Sequence, residues 1–134
     1  MSVPIADAGF IVAYGGRHAV QRKWAREAFR KYGAPFRTWE GAIIEAAHFC
    51  SPDLITRMVR DGDFLIDFTL AGQIHVVNLL LKKYADQEMD LTDACIVRMS
   101  ELIPDCLVFT VDHDFDVYRR FNDQLIPTNY PPRD

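Results

Sequence analysis

The sequence lacks long hydrophobic runs, internal repeats and tracts rich in glycine, serine or proline. Its apolar runs are far shorter than the roughly 18 residues that a membrane-spanning helix needs. The N-terminal stretch MSVPIADAGF contains neither the basic segment nor the cleavage pattern of a secretory signal peptide. We therefore expect a cytoplasmic protein with no membrane partner.

Cysteine is also scarce. Cys50, Cys95 and Cys106 are odd in number, lie in apolar surroundings and form no CxxC motif. This pattern argues against a zinc ribbon and against a disulfide framework, and it predicts reduced, partly buried thiols. Because the chain has 134 residues, 49% of them hydrophobic, it can bury a core without either device. We predict one domain over residues 1–134.

Positive charge is in deficit, since the net charge is −4. This balance argues against a protein that holds nucleic acid by bulk electrostatics. Residues 17–37 are the exception, because seven basic residues against the single acid Glu27 give this segment +6 and leave −10 for the rest. The commoner explanation is the solvated face of an amphipathic helix that turns Trp24 and Phe29 inward; contact with phosphate is the alternative.

Hydrophobic periodicity predicts an alternation of strands and helices. We predict strands at 3–6, 36–39, 64–70 (or a strand and a turn) and 107–111, and helices at 18–32, 40–49, 53–61, 71–85, 89–102 and 114–122. Such alternation favours a parallel sheet covered by helices.

Acidic residues occur where predicted strands end. Asp7 follows the first strand and Asp112 the last, while Glu45 lies on the helix after the second strand and Asp93 in the first turn of a later helix. Ligands of parallel sheets bind beyond the carboxyl ends of the strands, so we expect these acids to meet at one rim if the strands are neighbours. Unpaired, they would repel one another and raise one another's pKa. Carboxylate oxygens are the ligands that Mg²⁺ and Mn²⁺ prefer.

Simpler structural roles exist for several acids. Asp90 and Asp93 are spaced as a helix N-cap and its third helical position. We prefer the capping role for Asp90 and the rim site for Asp93. Asp114 fits a cap of the last predicted helix and Asp116 a surface residue of it. Glu45 stands in the apolar stretch GAIIEAAHF, so we expect an embedded charge that needs a metal ion or an arginine.

Four segments, in this order and spacing, resemble the PIN-domain ribonucleases, especially the VapC-type toxins of bacterial toxin-antitoxin pairs: PIADAGFIVAY, TWEGAIIEAAHF, KYADQEMDLTDACIVRMSE and VFTVDHDFDVYRRF. The resemblance covers essentially the whole chain. It implies a PIN-like three-layer α/β/α sandwich with a mainly parallel central sheet. It also implies an Mg²⁺-dependent endoribonuclease, with Mn²⁺ as a substitute ion, that leaves 5′-phosphate and 3′-hydroxyl ends. A cognate antitoxin and a homodimer are the partners that it implies besides RNA.

The resemblance also assigns site residues. The catalytic set consists of three metal-binding aspartates and one further acid: Asp7, Asp93, Asp112 and Glu45. Accessory positions match Asp90, Thr110 and Asp114. Many members place Thr or Ser directly after the first aspartate, whereas Ala8 and Gly9 stand here, so a hydroxyl near the metal is absent or supplied elsewhere.

In this interpretation the basic helix binds the RNA backbone, through Arg17, Arg22, Lys23 and Arg26. An apolar groove near residues 53–83, with Leu79, Leu80 and Tyr84, is a candidate surface for an amphipathic antitoxin helix, although core packing explains these residues equally well. The alternative function is a PIN scaffold without catalysis that binds RNA or protein. The missing hydroxyl favours this alternative, and the presence of all four acids favours the nuclease.

Overall fold

Two apolar strands form the centre of the sheet. In the computed structural model, which describes residues 1–133, β1 (Val3–Ala6) pairs in parallel with β4 (Cys106–Phe109). Ile5 lies opposite Val108, and both side chains are fully buried. Complete burial is expected where helices cover both faces of a parallel sheet, and it explains why both strands read as continuous apolar runs.

Three further strands complete a parallel sheet of five: β2 (Phe36–Thr38), β3 (Phe64–Ile66) and β7 (Thr128–Asn129). The strand order is β3-β2-β1-β4-β7. The chain therefore builds outward from β1 to β3 and then returns to the other side of β1, so the strand order reverses between β1 and β4. The crevice beyond the carboxyl ends at such a reversal is the usual ligand site of open parallel sheets.

Within residues 1–133, six α-helices flank the sheet: α1 (Ala8–Gly15), α2 (Ala19–Tyr32), α3 (Glu40–Ala46), α4 (Pro52–Arg60), α5 (Ile74–Lys83) and α6 (Leu91–Leu102). Because crossovers between parallel strands are right-handed, this strand order puts α1 to α4 on one face of the sheet and α5 and α6 on the other. Phe10 of α1 stacks on Phe36 of β2, with ring centroids 4.9 Å apart, and contacts Phe109 of β4. The predicted three-layer α/β/α sandwich with a mainly parallel sheet is confirmed.

The helix predicted for residues 114–122 is wrong. A single 3-10 turn (His113–Asp116) precedes an antiparallel ribbon of β5 (Arg119–Arg120) and β6 (Gln124–Leu125). Between these strands, Phe121 and Asn122 have φ angles of 50° and 72°, which a right-handed helix does not contain. The predicted cap and surface positions on that helix, Asp114 and Asp116, therefore lie in the 3-10 turn instead.

Other predicted elements are present with different bounds. α3 ends at Ala46 rather than at residue 49, β3 ends at Ile66 rather than at 70, and a 3-10 turn (Ala71–Gln73) precedes α5. α1 and β7 were not expected from the sequence. The three cysteines are free, as predicted: Cys95 and Cys106 are buried and Cys50 is half-buried. No helix in residues 1–133 has both the length and the apolar character needed to cross a membrane.

Candidate functional site

Asp7 ends β1 and begins α1. As the N-cap of α1, it has an extended backbone, and its Oδ1 accepts a hydrogen bond of 2.8 Å from the N–H of Ala8. Its Oδ2 accepts a hydrogen bond of 2.9 Å from the hydroxyl of Thr110. Only 6% of Asp7 is exposed. A strand end and a helix start therefore place a buried carboxylate at the reversal of strand order.

Thr110 and Asp112 follow β4, the strand next to β1. The buried hydroxyl of Thr110 accepts a hydrogen bond of 3.0 Å from the N–H of Asp112 while it donates to Asp7. Asp112 Oδ1 in turn accepts a hydrogen bond of 2.9 Å from the N–H of Asp114 and caps the 3-10 turn. Thr110 thus links two predicted site acids, whereas Asp114 contributes its backbone N–H to this network.

Asp93 lies in the first turn of α6, the helix that Asp90 caps. The predicted capping bond is present, since Asp90 Oδ1 accepts a hydrogen bond of 2.7 Å from the N–H of Asp93. Asp93 Oδ2 accepts a hydrogen bond of 3.1 Å from the hydroxyl of Tyr118. Asp93 is 8% exposed and Tyr118 is fully buried. The helix start therefore supplies both a cap and a second buried carboxylate.

Glu45 lies at the exposed edge of the site and is not embedded among apolar side chains. The short helix α3 buries Ala42 and Ala46 and leaves Ile44 and Glu45 exposed. The expectation of an embedded charge that needs a partner is therefore wrong. Glu45 still acts on the buried acids, because its negative charge contributes to raising the pKa of Asp7.

A single cleft of about 290 Å³ brings the four predicted catalytic acids together with Asp90. Its lining consists of Asp7, Ala8, Gly9, Val12, Gln21, Glu45, Phe49, Asp90, Asp93, Val111 and Asp112. As far as the structure describes the chain, this lining holds five carboxylates and no Lys, Arg or His. The walls meet closely at Gly9, where a Cβ atom would lie 2.4 Å from Cγ2 of Val111.

Burial dominates the ionisation of Asp7. Removal from water raises the pKa of this carboxyl to about 6, and the charges of Glu45 and Asp112 add to the shift. The hydrogen bonds from Thr110 and Ala8 favour the ionised form and therefore oppose this rise in pKa. The pKa of Asp7 therefore lies well above that of an exposed aspartate.

The pKa of Asp93 is raised further. Burial is again the largest cause. Together with repulsion from three carboxylates, Asp90, Asp7 and Asp112, it raises the pKa of Asp93 to about 8. The hydrogen bond from Tyr118 opposes this shift. Burial and neighbouring acids also raise the pKa of Glu45 and that of Asp112. The cleft therefore disfavours the ionised forms of its acids, because no Lys, Arg or His of its described lining offsets their charge.

The donor chemistry of the cleft fits a hard divalent cation, because its five acids offer oxygen ligands only. Among residues 1–133, however, no three or more His, Cys, Asp or Glu side chains form a preformed metal-binding group. Asp7, Asp93 and Asp112 are the residues that would hold a cation here, and their carboxylates would have to move toward a common point to do so.

The four predicted RNA-binding cations lie between the residues just before α2 and the middle of that helix, outside the lining of the acidic cleft: Arg17, Arg22, Lys23 and Arg26. Arg22 donates a hydrogen bond of 3.0 Å to the carbonyl of Gly16. The guanidinium of Arg26 lies over the ring of Tyr14. Lys23 lines a different cleft together with Pro132 and Arg133. α2 itself reaches the acidic cleft through Gln21.

Three residues of the site were not identified from the sequence. The sequence predicted a helix at Tyr118 that the structure does not contain, so no sequence pattern indicated its contact with Asp93. Gln21 is a polar residue of an amphipathic helix, and no sequence pattern identified it as a site residue either. Phe49 had a weak signal, an aromatic residue just after an apolar helix, and it is 72% exposed at the edge of the cleft. The sequence matches no protein-family model and no curated protein.

Proposed function

We propose that the protein is an Mg²⁺-dependent endoribonuclease of the PIN-domain type. The observation that carries this proposal is the acidic cleft, in which five carboxylates line the crevice between the ends of β1 and β4. Structural ion pairs do not explain the cluster, since the lining contains no cation among the described residues. Clustered carboxylates at a ligand-binding crevice are typical of metal-dependent phosphodiester hydrolysis.

The four predicted catalytic acids divide into two roles in this proposal. Asp7, Asp93 and Asp112 would hold the cation, each oriented by a hydrogen-bond donor of the chain: the Thr110 hydroxyl, the Tyr118 hydroxyl and the Asp114 N–H. Glu45, at the exposed edge, would orient the attacking water. Bound here, Mg²⁺ supplies a nucleophilic water at neutral pH and offsets the charge that develops on the phosphate.

The surroundings of the cleft suit a single-stranded RNA substrate. Phe49 offers an exposed aromatic face at the edge of the cleft, where a base could stack. The four predicted RNA-binding cations, within residues 17–26, would attract a phosphate backbone that the acids alone would repel. In keeping with the family resemblance, the products would carry 5′-phosphate and 3′-hydroxyl ends.

A second candidate function is an RNA-binding or protein-binding module that has the same scaffold without catalysis. The observation that favours it is Ala8, which stands where many PIN-domain ribonucleases have a hydroxyl residue. The two candidates differ in a single measurable property, metal-dependent cleavage.

The deciding experiment is cleavage of total RNA by purified protein in Mg²⁺, Mn²⁺ or EDTA. Asp7→Asn is tested beside Asp123→Asn, which removes an exposed aspartate of the β5–β6 turn, outside the cleft. We expect cleavage that needs the metal, is lost in Asp7→Asn and survives in Asp123→Asn. Cleavage in EDTA, or equal cleavage by both variants, would contradict the proposal. A folded protein that binds RNA without cutting it would favour the second candidate.

A toxin role, with a cognate antitoxin and a homodimer, remains a prediction. In the groove considered for an antitoxin helix, Leu80 and Tyr84 belong to the buried core, so core packing accounts for both. Leu79 is 63% exposed and is the one of the three that a partner could contact. Co-expression with the product of an adjacent small gene, followed by co-purification, tests this role.

A further inference from the structure

A second cleft lies beside α1 and α2, the two helices that also flank the acidic cleft. Its volume is about 350 Å³, within the range of small-ligand sites. The side chains that define its character are Tyr14, Arg26, Phe29, Arg30, Met58 and Asp63. α1 and α2 contribute to both clefts, since Val12 and Gln21 line the acidic one. Gln21 and Arg26 are separated by an axial rise of about 7.5 Å along α2.

Two guanidinium groups give this cleft its positive charge. Arg26 and Arg30 are exposed, and neither forms an ion pair with a carboxylate in residues 1–133, although Asp63 lies in the same lining. Arg26 lies with Cζ 4.9 Å from the centroid of the Tyr14 ring and donates one hydrogen bond to the Tyr14 carbonyl. The remaining donors of both guanidinium groups can therefore bind an anion.

Aromatic rings form the wall beside these cations. Tyr14 and Phe29 pack edge to face with ring centroids 5.1 Å apart, and both are half-buried. The buried thioether side chain of Met58 contributes further apolar surface. A ligand that fits this combination has a planar aromatic part and a negative charge, as a nucleotide does in its base and its phosphate.

We propose that this cleft binds one nucleotide of a single-stranded RNA, with its base against the Tyr14 wall and its phosphate on Arg26 and Arg30. The inference deepens the proposed function, on which it rests for its choice of RNA, because it states where substrate outside the acidic cleft is held. It also restricts the predicted RNA contact to one flank of α2. Among the four predicted cations Arg26 lines this cleft, and Arg30 and Tyr14 are new members of the RNA-binding set.

The opposite flank of α2 provides a matched comparison. Lys31 lies over the ring of Tyr32 at 5.4 Å, so this flank also combines a cation with an aromatic ring. Its cleft, however, contains Glu27 beside this single cation and is smaller, at about 170 Å³. Bulk electrostatics predicts equal effects of neutralising Arg26 or Lys31, whereas a specific subsite predicts unequal ones.

The experiment measures binding of a short fluorescein-labelled oligouridylate to the full chain in EDTA, where metal-dependent cleavage is absent. We expect Arg26→Gln and Tyr14→Leu each to weaken binding by about tenfold, and Tyr14→Phe, which keeps the ring, to bind nearly as wild type. Lys31→Gln should change binding by less than about twofold, as expected of an unspecific charge contact. Circular dichroism of each variant confirms that it is folded.

The outcomes separate this inference from the nuclease proposal. Equal weakening by Arg26→Gln and Lys31→Gln, or no binding by wild type, overturns the nucleotide subsite. Normal binding by both Arg26→Gln and Tyr14→Leu also overturns it, even if the protein cuts RNA in Mg²⁺. Conversely, selective loss of binding in those two variants upholds the subsite even if no metal-dependent cleavage is found, in which case only the nuclease proposal fails.

Discussion

The two ends of α6 each hold a buried ionisable side chain, and their surroundings differ. At the N-terminal end, Asp93 is 8% exposed and lies near other carboxylates. At the C-terminal end, Arg120 is 4% exposed and faces carbonyl oxygens. In their ionised forms both side chains have the sign that the helix dipole favours at their end of the helix. The arginine, however, faces hydrogen-bond acceptors, whereas the aspartate lies among like charges that raise its pKa.

We call the arginine end the closed network because carbonyl oxygens accept hydrogen bonds from Arg120 Nη1, although Arg120 Nε has no hydrogen-bond partner among residues 1–133. Arg120 Nη1 donates to the carbonyls of Ser100 and Pro104, at 2.8 and 3.0 Å, and lies 3.7 Å from the sulfur of Cys106. Its guanidinium also lies over the ring of Phe121. Ser100 is in the last turn of α6, where carbonyls have no partner within the helix. Arg120 therefore supplies the hydrogen bonds that the helix end needs.

The aspartate end is an open network. Its hydrogen bonds orient the carboxylates, but the repulsion among them is unrelieved and the pKa of Asp93 stays raised. Tyr118 and Arg120 are two residues apart in sequence and contact opposite ends of α6. Tyr118 donates a hydrogen bond to Asp93 at the N-terminal end, whereas Arg120 donates to the Ser100 carbonyl at the C-terminal end. A buried ionisable group alone therefore does not mark a site; one whose charged form the surrounding residues disfavour is the better candidate.

The largest effect is expected from removal of the closed network. Arg120→Met leaves the carbonyls of Ser100 and Pro104 without their donor and should lower the free energy of unfolding by about 3 kcal/mol. Urea denaturation measures this loss. Arg57→Gln, which breaks an exposed pair with Asp53, is the control and should cost less than about 0.5 kcal/mol. A loss below about 1 kcal/mol in Arg120→Met would mean that water replaces the arginine.

A gain in stability is expected at the open network. The unfolded pKa of Asp93 is about 3.9 and the folded pKa is about 8, so the folded state binds the proton more tightly. Wild-type stability should therefore fall as pH rises from about 4 to about 8. Asp93→Asn removes this penalty and should be more stable than wild type at pH 8, with little difference at pH 4.

Thermal unfolding of both proteins in EDTA across this pH range tests the gain at Asp93. Asp123→Asn, an exposed substitution, should follow the wild-type pH profile. A variant that is less stable than wild type at pH 8 would show that Asp93 has a structural role that outweighs its repulsion.

The acids and the central strands were predictable because local patterns determine them. An apolar run that ends in aspartate identified β1 with Asp7 and β4 with Asp112, and capping spacing identified Asp90 with Asp93. The strand alternation then predicted that the four acids would meet at one rim. These inferences need only neighbours in sequence and the geometry of parallel sheets.

The remaining features depend on contacts distant in sequence. α1 is apolar on nearly all sides, with Phe10 and Ile11 buried, and so shows no amphipathic period. The segment at 118–120 has helix-like spacing, yet its conformation follows from bonds to Asp93 and Ser100 that no local pattern contains. For Glu45 the apolar neighbours were misleading, because α3 is too short to bury that side of itself.

A smaller effect is expected from the hydroxyl that orients Asp93. Tyr118→Phe removes the donor to Asp93 Oδ2, so the pKa of Asp93 should rise further and stability should fall by about 1 kcal/mol. Carboxyl titration by NMR and urea denaturation measure the two quantities. Tyr130→Phe, which removes a hydroxyl from the exposed Asp116, is the control and should leave the titration of Asp93 unchanged. An unshifted Asp93 in Tyr118→Phe would show that this hydrogen bond does not tune the open network.

The smallest effect is expected where the sequence departs from the PIN pattern. Ala8→Ser supplies the hydroxyl at that position, yet the Thr110 hydroxyl already donates to Asp7 from the end of β4. We therefore expect RNA cleavage by Ala8→Ser to differ from wild type by less than about tenfold, the range of one hydrogen bond. Thr110→Val should lower cleavage more, because it removes the donor to Asp7 and the acceptor of the Asp112 N–H together. If Ala8→Ser instead activates an inactive wild-type protein, the hydroxyl at position 8 is the missing component, and the open network in the natural chain serves binding without catalysis.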